Sequence, residues 1–142
     1  MTEVAVQWAG INWAGNYRYG ASTLHRPESL AELQEVVAGA GRLHALGSRH
    51  SFTAVADSAE LVTLEAMTDP AAVVVAPDRR TVTLDAGLRY GELTAVLNAE
   101  GLALHNLASL PHISVAGAVA TATHGSGVGN RTWPVRSRRW SW

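Results

Sequence analysis

The stretch "LGSRHSF", residues 46–52, sets a glycine, two serines, an arginine and a histidine between apolar residues at the end of a short hydrophobic run. A chain that leaves a strand through Gly-Ser and turns tightly gathers several backbone N–H groups, and the hydroxyls of Ser48 and Ser51 add further donors. Such a nest binds an anion, which is phosphate chemistry without a lysine. The same residues also make an ordinary polar turn. Three roles stand open for His50: a solvent-facing turn residue, a general base, or a nucleophile toward a cofactor.

A second cluster, "SVAGAVATATHGSG" at 114–127, places Ser114 to cap a short helix whose face is alanine and glycine. So slight a helix fills little space, and something must lie close to its backbone. Gly117 permits that approach, and the hydroxyls of Thr121 and Thr123 suit a pyrophosphate and an isoalloxazine or ribose edge. The glycines at 125, 127 and 129 imitate a dinucleotide fingerprint. They follow a helix-like segment, however, whereas that fingerprint follows a strand and opens a helix, so a Rossmann fold is excluded. A metal site is not expected either: His105, His112 and His124 lack helical ligand spacing, and no acid accompanies them after residue 100. His44 offers no better partner set, and His25, before an Arg-Pro helix start, reads as structural. There is no cysteine, which excludes disulfides, zinc-thiolate sites and cysteinyl cofactor linkage.

These clusters need elements to hold them. The 142 residues suffice for one domain with a core. Residues 1–25, with "NWAGNYRYG", read as an extended lead-in or turn. "RPESLAELQEVVAGAG" (26–41) has proline near a helix start, Glu28 or Ser29 in the first turn, and Leu30, Leu33, Val36 and Val37 on one face. "RLHAL" is a short strand running into the histidine loop. "LVTLE" (61–65), "AAVVVAP" (71–77) and "TVTLDAG" (81–87) read as strands, with "PDRR" as a hairpin turn. "YGELTAVLNAE" (90–100) is a second helix, burying Leu93, Val96 and Leu97 and stopping at Gly101. Before it, "GLRYGEL" puts Glu92 where it favours the helix dipole. The order is that of an α+β domain.

The loop motif, followed by "ASLPHISVAGAVATATHGSGVGN", closely resembles the alditol and xylitol oxidases of the vanillyl-alcohol oxidase flavoprotein superfamily, relatives of the sugar-1,4-lactone oxidases. The likeness covers about residues 10–130 and includes "NWAGN", "RP-SL" and "G-RYGEL". It implies a PCMH-type FAD-binding domain over 26–130, two small α+β subdomains clasping FAD, incomplete at its C-terminus. It implies covalent attachment of the flavin 8α-methyl carbon to His50. The loop Ala45, Leu46, Gly47, Ser48, Arg49, His50 and Ser51 would hold the pyrophosphate. Ser109 would stand between flavin and substrate, and Ser114, Gly117, Thr121, Ala122, Thr123 and His124 would make further FAD contacts. No other catalytic residue is expected within the chain. Arg49 stands where the resemblance implies glycine. At positive φ its side chain would cost about 1 kcal/mol or more, and either displace His50 or be tolerated, its charge favouring a neutral imidazole. Tolerance is expected.

Charge divides the chain. Residues 1–130 carry seven arginines against twelve acids, a net −5, whereas "RTWPVRSRRWSW" (131–142) carries four arginines and no acid, a net +4, with three of the five tryptophans. Read with GC-rich codons from the third base of the Arg131 codon, the same nucleotides can encode D-L-A-G-A-V-A-A-V-E-L, which resembles the family's continuation. The tail is therefore expected to be out of frame and the chain to be the N-terminal part of an oxidase, without its substrate domain. The main reading is the FAD-binding portion of an enzyme moving hydride from a polyol or sugar lactone to FAD, then to dioxygen. A catalytically inactive remnant is the alternative, and a basic-tailed nucleic-acid or membrane binder the distant one. The partners expected are FAD and a small polyol or lactone, not nucleic acid. No apolar run approaches the roughly 18 residues of a membrane span, and a cytoplasmic location is expected.

Overall fold

A computed structural model of the chain describes residues 9–127; the expected tail at 131–142 lies outside them. The chain divides into two compact units, Met1–Asp69 and Pro70–Trp142.

The first unit is built on a parallel three-stranded sheet of β1 (Thr23–His25), β2 (Leu43–Ala45) and β3 (Glu60–Val62), in the order β1-β3-β2. Leu61 of β3 stands opposite both Leu24 and His44. The last strand in sequence is thus the central one, and Leu61, Val62 and Thr63 are buried. Leu61 packs with Ala9, Tyr19, Leu24 and Leu46. Burying each of these leucines stabilises the unit by about 1.5–3 kcal/mol. Residues 9–19, read as an extended lead-in, therefore supply part of this core. The strand expected over 61–65 is shorter because Glu65–Met67 forms a 3-10 turn.

Ser29, expected in the first turn, instead precedes α1 (Leu30–Gly39) as its N-cap, its hydroxyl accepting a hydrogen bond from the Glu32 N–H at 3.2 Å. Its apolar face is present but largely uncovered, with Leu30 and Val37 exposed and Leu33 and Val36 half-buried. Helical periodicity states which face a helix can bury; burial also requires an element to pack on it.

In the second unit β4 (Val74–Val75) pairs antiparallel with β5 (Val82–Thr83). The hairpin at "PDRR" closes with the Ala76 N–H on the Thr81 carbonyl, and Arg79 in the left-handed conformation, φ 55°. Both strands are shorter than the sequence implied: Pro70–Ala72 forms a 3-10 turn before β4, and after β5 the chain turns with the Leu88 N–H on the Asp85 carbonyl. α2 (Tyr90–Ala99) buries Tyr90, Leu93 and Leu97, while Val96 is half-buried. The Glu92 carboxylate accepts the Arg89 N–H at 2.8 Å, and Gly101, φ 65°, ends the helix with the Leu102 N–H on the Leu97 carbonyl. α3 (Val115–Ala120) contributes Ala118 to the same core as Leu88, Tyr90, Leu93 and Leu97.

Candidate functional site

The expected site residues fall into two groups, one on each unit. In the first, β2 ends at Ala45 and Leu46 anchors the chain, buried and with its N–H on the Val62 carbonyl at 2.7 Å. Beyond that anchor the loop leaves the sheet. Arg49 adopts φ 62°, the left-handed region that favours glycine. The conformation is held from both sides: the Arg49 carbonyl accepts the Trp13 N–H at 2.8 Å, and its guanidinium Nε donates to the Ala9 carbonyl at 3.1 Å. The side chain is thereby tied to the backbone of Ala9.

His50 follows this turn. Its Nδ1 lies 3.0 Å from the Ser48 Oγ, and its ring stacks on the Trp13 indole, with centroids 5.3 Å apart and planes inclined by 22°. Asn12, only 4% exposed, completes the frame. Its Nδ2 donates to the Ser51 carbonyl at 2.9 Å and to Asn16 Oδ1 at 2.7 Å, while its Oδ1 accepts the Tyr17 N–H at 2.9 Å. Asn16 Nδ2 in turn donates to the Phe52 carbonyl at 3.1 Å. The backbone N–H groups of Gly47, Arg49 and Ser51 have no acceptor among the described residues.

The side chains that frame His50 thus come from "NWAGN", which carried no chemistry of its own in the sequence. The sequence signal was the motif's presence in the resemblance; which residues it would touch was not readable from it. Farther along the same segment, the Asp57 carboxylate accepts the Tyr17 hydroxyl at 2.7 Å and the N–H groups of Gly20 at 2.8 Å and Ser58 at 2.9 Å. Desolvation alone would raise its pKa. The bonds from Gly20, Tyr17, Ser58 and Ala21 outweigh that and hold it below the ordinary aspartate value. His25 meets Glu60 across the sheet, Nε2 to Oε2 2.7 Å, a structural pair as expected.

The second group sits around α3. Ser114 is buried at the N-cap position as expected, but its hydroxyl makes no capping bond to the helix N–H groups; its carbonyl accepts the Ala118 N–H at 3.0 Å. A Cβ on Gly117 would stand 2.6 Å from Ser114 Oγ, so a side chain there would oblige the serine hydroxyl to move. The entry to α3 is tied to α2 by the Val115 N–H on the Leu88 carbonyl, 2.8 Å, and the Tyr90 N–H on the Ile113 carbonyl, 3.0 Å. Burial pushes the Tyr90 phenol up to about 12, which keeps it neutral. After α3 the chain turns through Ala122, φ 53°, with the Thr123 N–H on the Ala118 carbonyl and the Ala122 N–H on the Val119 carbonyl. This is a Schellman ending with alanine in the position glycine usually takes. It brings Thr121 Oγ1 to 3.3 Å from Thr123 Oγ1, while His124 Nδ1 lies 3.2 Å from the Gly125 carbonyl. Ser109 is exposed on the 105–111 connection. A cavity of about 420 Å³ along α2, lined by residues including Thr94, Leu97, Asn98, Leu102 and Leu107, includes none of the expected site residues.

Among the described residues no helix is long and apolar enough to cross a membrane, and no three His, Asp or Glu side chains converge as a metal site would require. The sequence family described as FAD binding domain matches residues 21–133. An alditol oxidase from Streptomyces sp. (strain IKD472 / FERM P-14339) is 50% identical over 126 residues, which cover 86% of this chain and 30% of that protein. A D-arabinono-1,4-lactone oxidase from Yarrowia lipolytica is 37% identical over 123 residues, 80% of this chain and 23% of that protein. The chain therefore spans less than a third of the length of these curated relatives. Among solved structures, cholesterol oxidase from B. sterolicum superposes with a TM-score of 0.68 at 17% identity, covering 82% of this chain and 24% of that one. At that identity the likeness is one of fold.

Proposed function

Because the chain belongs to the FAD binding domain family, we propose that it is the FAD-holding N-terminal portion of an oxidase acting on an alditol or a sugar lactone, with the cofactor attached to His50. The observation that carries this reading is the left-handed turn at Arg49, which delivers His50 onto Trp13 and Ser48. The donor set fits an anionic cofactor. N–H groups at Gly47, Arg49 and Ser51 without an acceptor among the described residues lie on one loop with the hydroxyls of Ser48 and Ser51, and no acid occurs between residues 36 and 56.

In this reading Ala45 to Ser51 bind the pyrophosphate, Ser114, Gly117 and Thr121 to His124 contact the remainder of the cofactor, and Ser109 borders the substrate. His50 would supply the nitrogen of an N–C bond to the flavin 8α-methyl carbon, with loss of one methyl C–H and the imidazole N–H and with dioxygen as the acceptor of the two electrons and two protons. FAD, when bound, supplies the two-electron acceptor through which a polyol or lactone carbinol becomes a carbonyl compound, again at the expense of dioxygen. In this reading the groups that orient the substrate and take its hydroxyl proton lie outside the 30% of the alditol oxidase's length that this chain covers.

The test is the spectrum of the acid-precipitated protein after incubation with FAD in air. Yellow colour that stays with the chain, and is lost in His50→Ala, is the expected result. Colour that washes out of the wild-type precipitate refutes the attachment, and a chain that binds no FAD at all refutes the cofactor reading.

A further inference from the structure

We infer that Trp13 is a positioning residue for covalent attachment: its indole face fixes the plane of the His50 imidazole so that a ring nitrogen is aimed at the 8α-methyl carbon. The inference rests on the reading that His50 carries the flavin, and it adds a residue and a role to that reading.

Three contacts from two consecutive residues bracket His50. The Trp13 N–H holds the carbonyl of Arg49, immediately before the histidine, and the Asn12 amide holds the carbonyl of Ser51, immediately after it. Between them the Trp13 ring lies on the imidazole itself. With the backbone on both sides fixed, the side chain keeps two torsions. The Ser48 Oγ at Nδ1 and the indole face both restrain those torsions. Bond formation needs that economy, because attack proceeds from a near-attack geometry of about 3–3.5 Å with the nitrogen lone pair aligned. Forming the N–C bond with loss of the methyl C–H and imidazole N–H, and passage of two electrons and two protons to dioxygen, is slowed in proportion to the time the ring spends misdirected.

Core packing does not account for Trp13. Trp13 is 54% exposed, and the unit's core is made by Ala9, Tyr19, Leu24, Leu46 and Leu61. Its backbone bond to Arg49 is independent of the side chain. Replacing the ring therefore leaves the loop's backbone frame in place.

The experiment follows acid-stable flavin against time in the full 142-residue chain incubated with FAD in air, for wild type, Trp13→Leu and Trp13→Phe. Reversible FAD binding is measured alongside by quenching of flavin fluorescence. The Leu chain, apolar but without a ring, is expected to attach flavin about 2- to 12-fold more slowly, the rate equivalent of a lost stacked pair. The Phe chain restores the wild-type rate to within about twofold, and reversible affinity stays within about twofold in both. Separately, in the wild-type chain without FAD, the His50 ring protons, assigned with His50→Gln, should resonate upfield under the indole ring current and lose that shift in the Leu chain.

Attachment at the wild-type rate in Trp13→Leu overturns the positioning role and leaves attachment at His50 standing. Wild-type chain that never acquires acid-stable flavin refutes attachment, and the positioning role with it. His50 protons at random-coil positions in the wild type also overturn the inference, a measurement that holds even where a ring-less variant does not fold.

Discussion

Arg49 offers the sharpest check on the geometry that presents His50. A residue with a Cβ at φ 62° carries a penalty of about 1–2 kcal/mol relative to its right-handed conformation, which glycine does not. Glycine loses about 0.4–1 kcal/mol more than alanine through the entropy of the unfolded chain. The difference favours glycine at position 49 by about 0.5–1 kcal/mol, whereas at an ordinary α or β position alanine is favoured by a similar amount. Both variants forfeit the guanidinium bond to the Ala9 carbonyl, about 0.5–1.5 kcal/mol, so that term cancels when they are compared. Arg49→Gly is thus expected to match the wild type to within about 1 kcal/mol, and Arg49→Ala to be the least stable of the three. Urea unfolding followed by tryptophan fluorescence gives the midpoints, with equal slopes required for the comparison. Arg49→Ala as stable as or more stable than Arg49→Gly would mean that position 49 is not left-handed in solution, and the account of how His50 is aimed would fall with it.

Asp57 and Gly117 give two further expectations. Because the fold lowers the Asp57 pKa, its carboxylate contributes stability that is present above the unfolded value of about 3.9 and is lost as pH falls through the lower folded value. Asp57→Asn should flatten that acid limb in a pH series of thermal unfolding, and an unchanged limb assigns the acid sensitivity elsewhere. Gly117→Ala should destabilise the second unit, because the new methyl meets Ser114 Oγ at 2.6 Å. In a Ser114→Ala background the same change should instead stabilise it by about 0.5–1 kcal/mol, as alanine for glycine does inside a helix. A double-mutant cycle by circular dichroism decides, and additive effects refute the contact.

What the sequence determined by itself was what neighbours in the chain decide. The stop at Gly101 and the hairpin at "PDRR" each depend on residues within about five positions, and each stands where it was read. The histidine loop and the alanine-rich helix were legible as motifs for the same reason. The strand at Thr23–His25 was not, since three residues are too few to show a period. Nor was the exposure of the α1 face, because a pattern names a buriable surface and says nothing of what covers it. The setting of His50 is the clearest case. Whether a histidine in a polar turn is an idle residue or an aimed nucleophile depends on the groups around it. Those groups, Trp13 and Asn12, lie more than thirty-five residues earlier in the chain. The segment carrying Trp13 and Asn12 folds against the loop beyond β2, so the ring contact and the bonds to Arg49 and Ser51 exist only once the tertiary structure has formed.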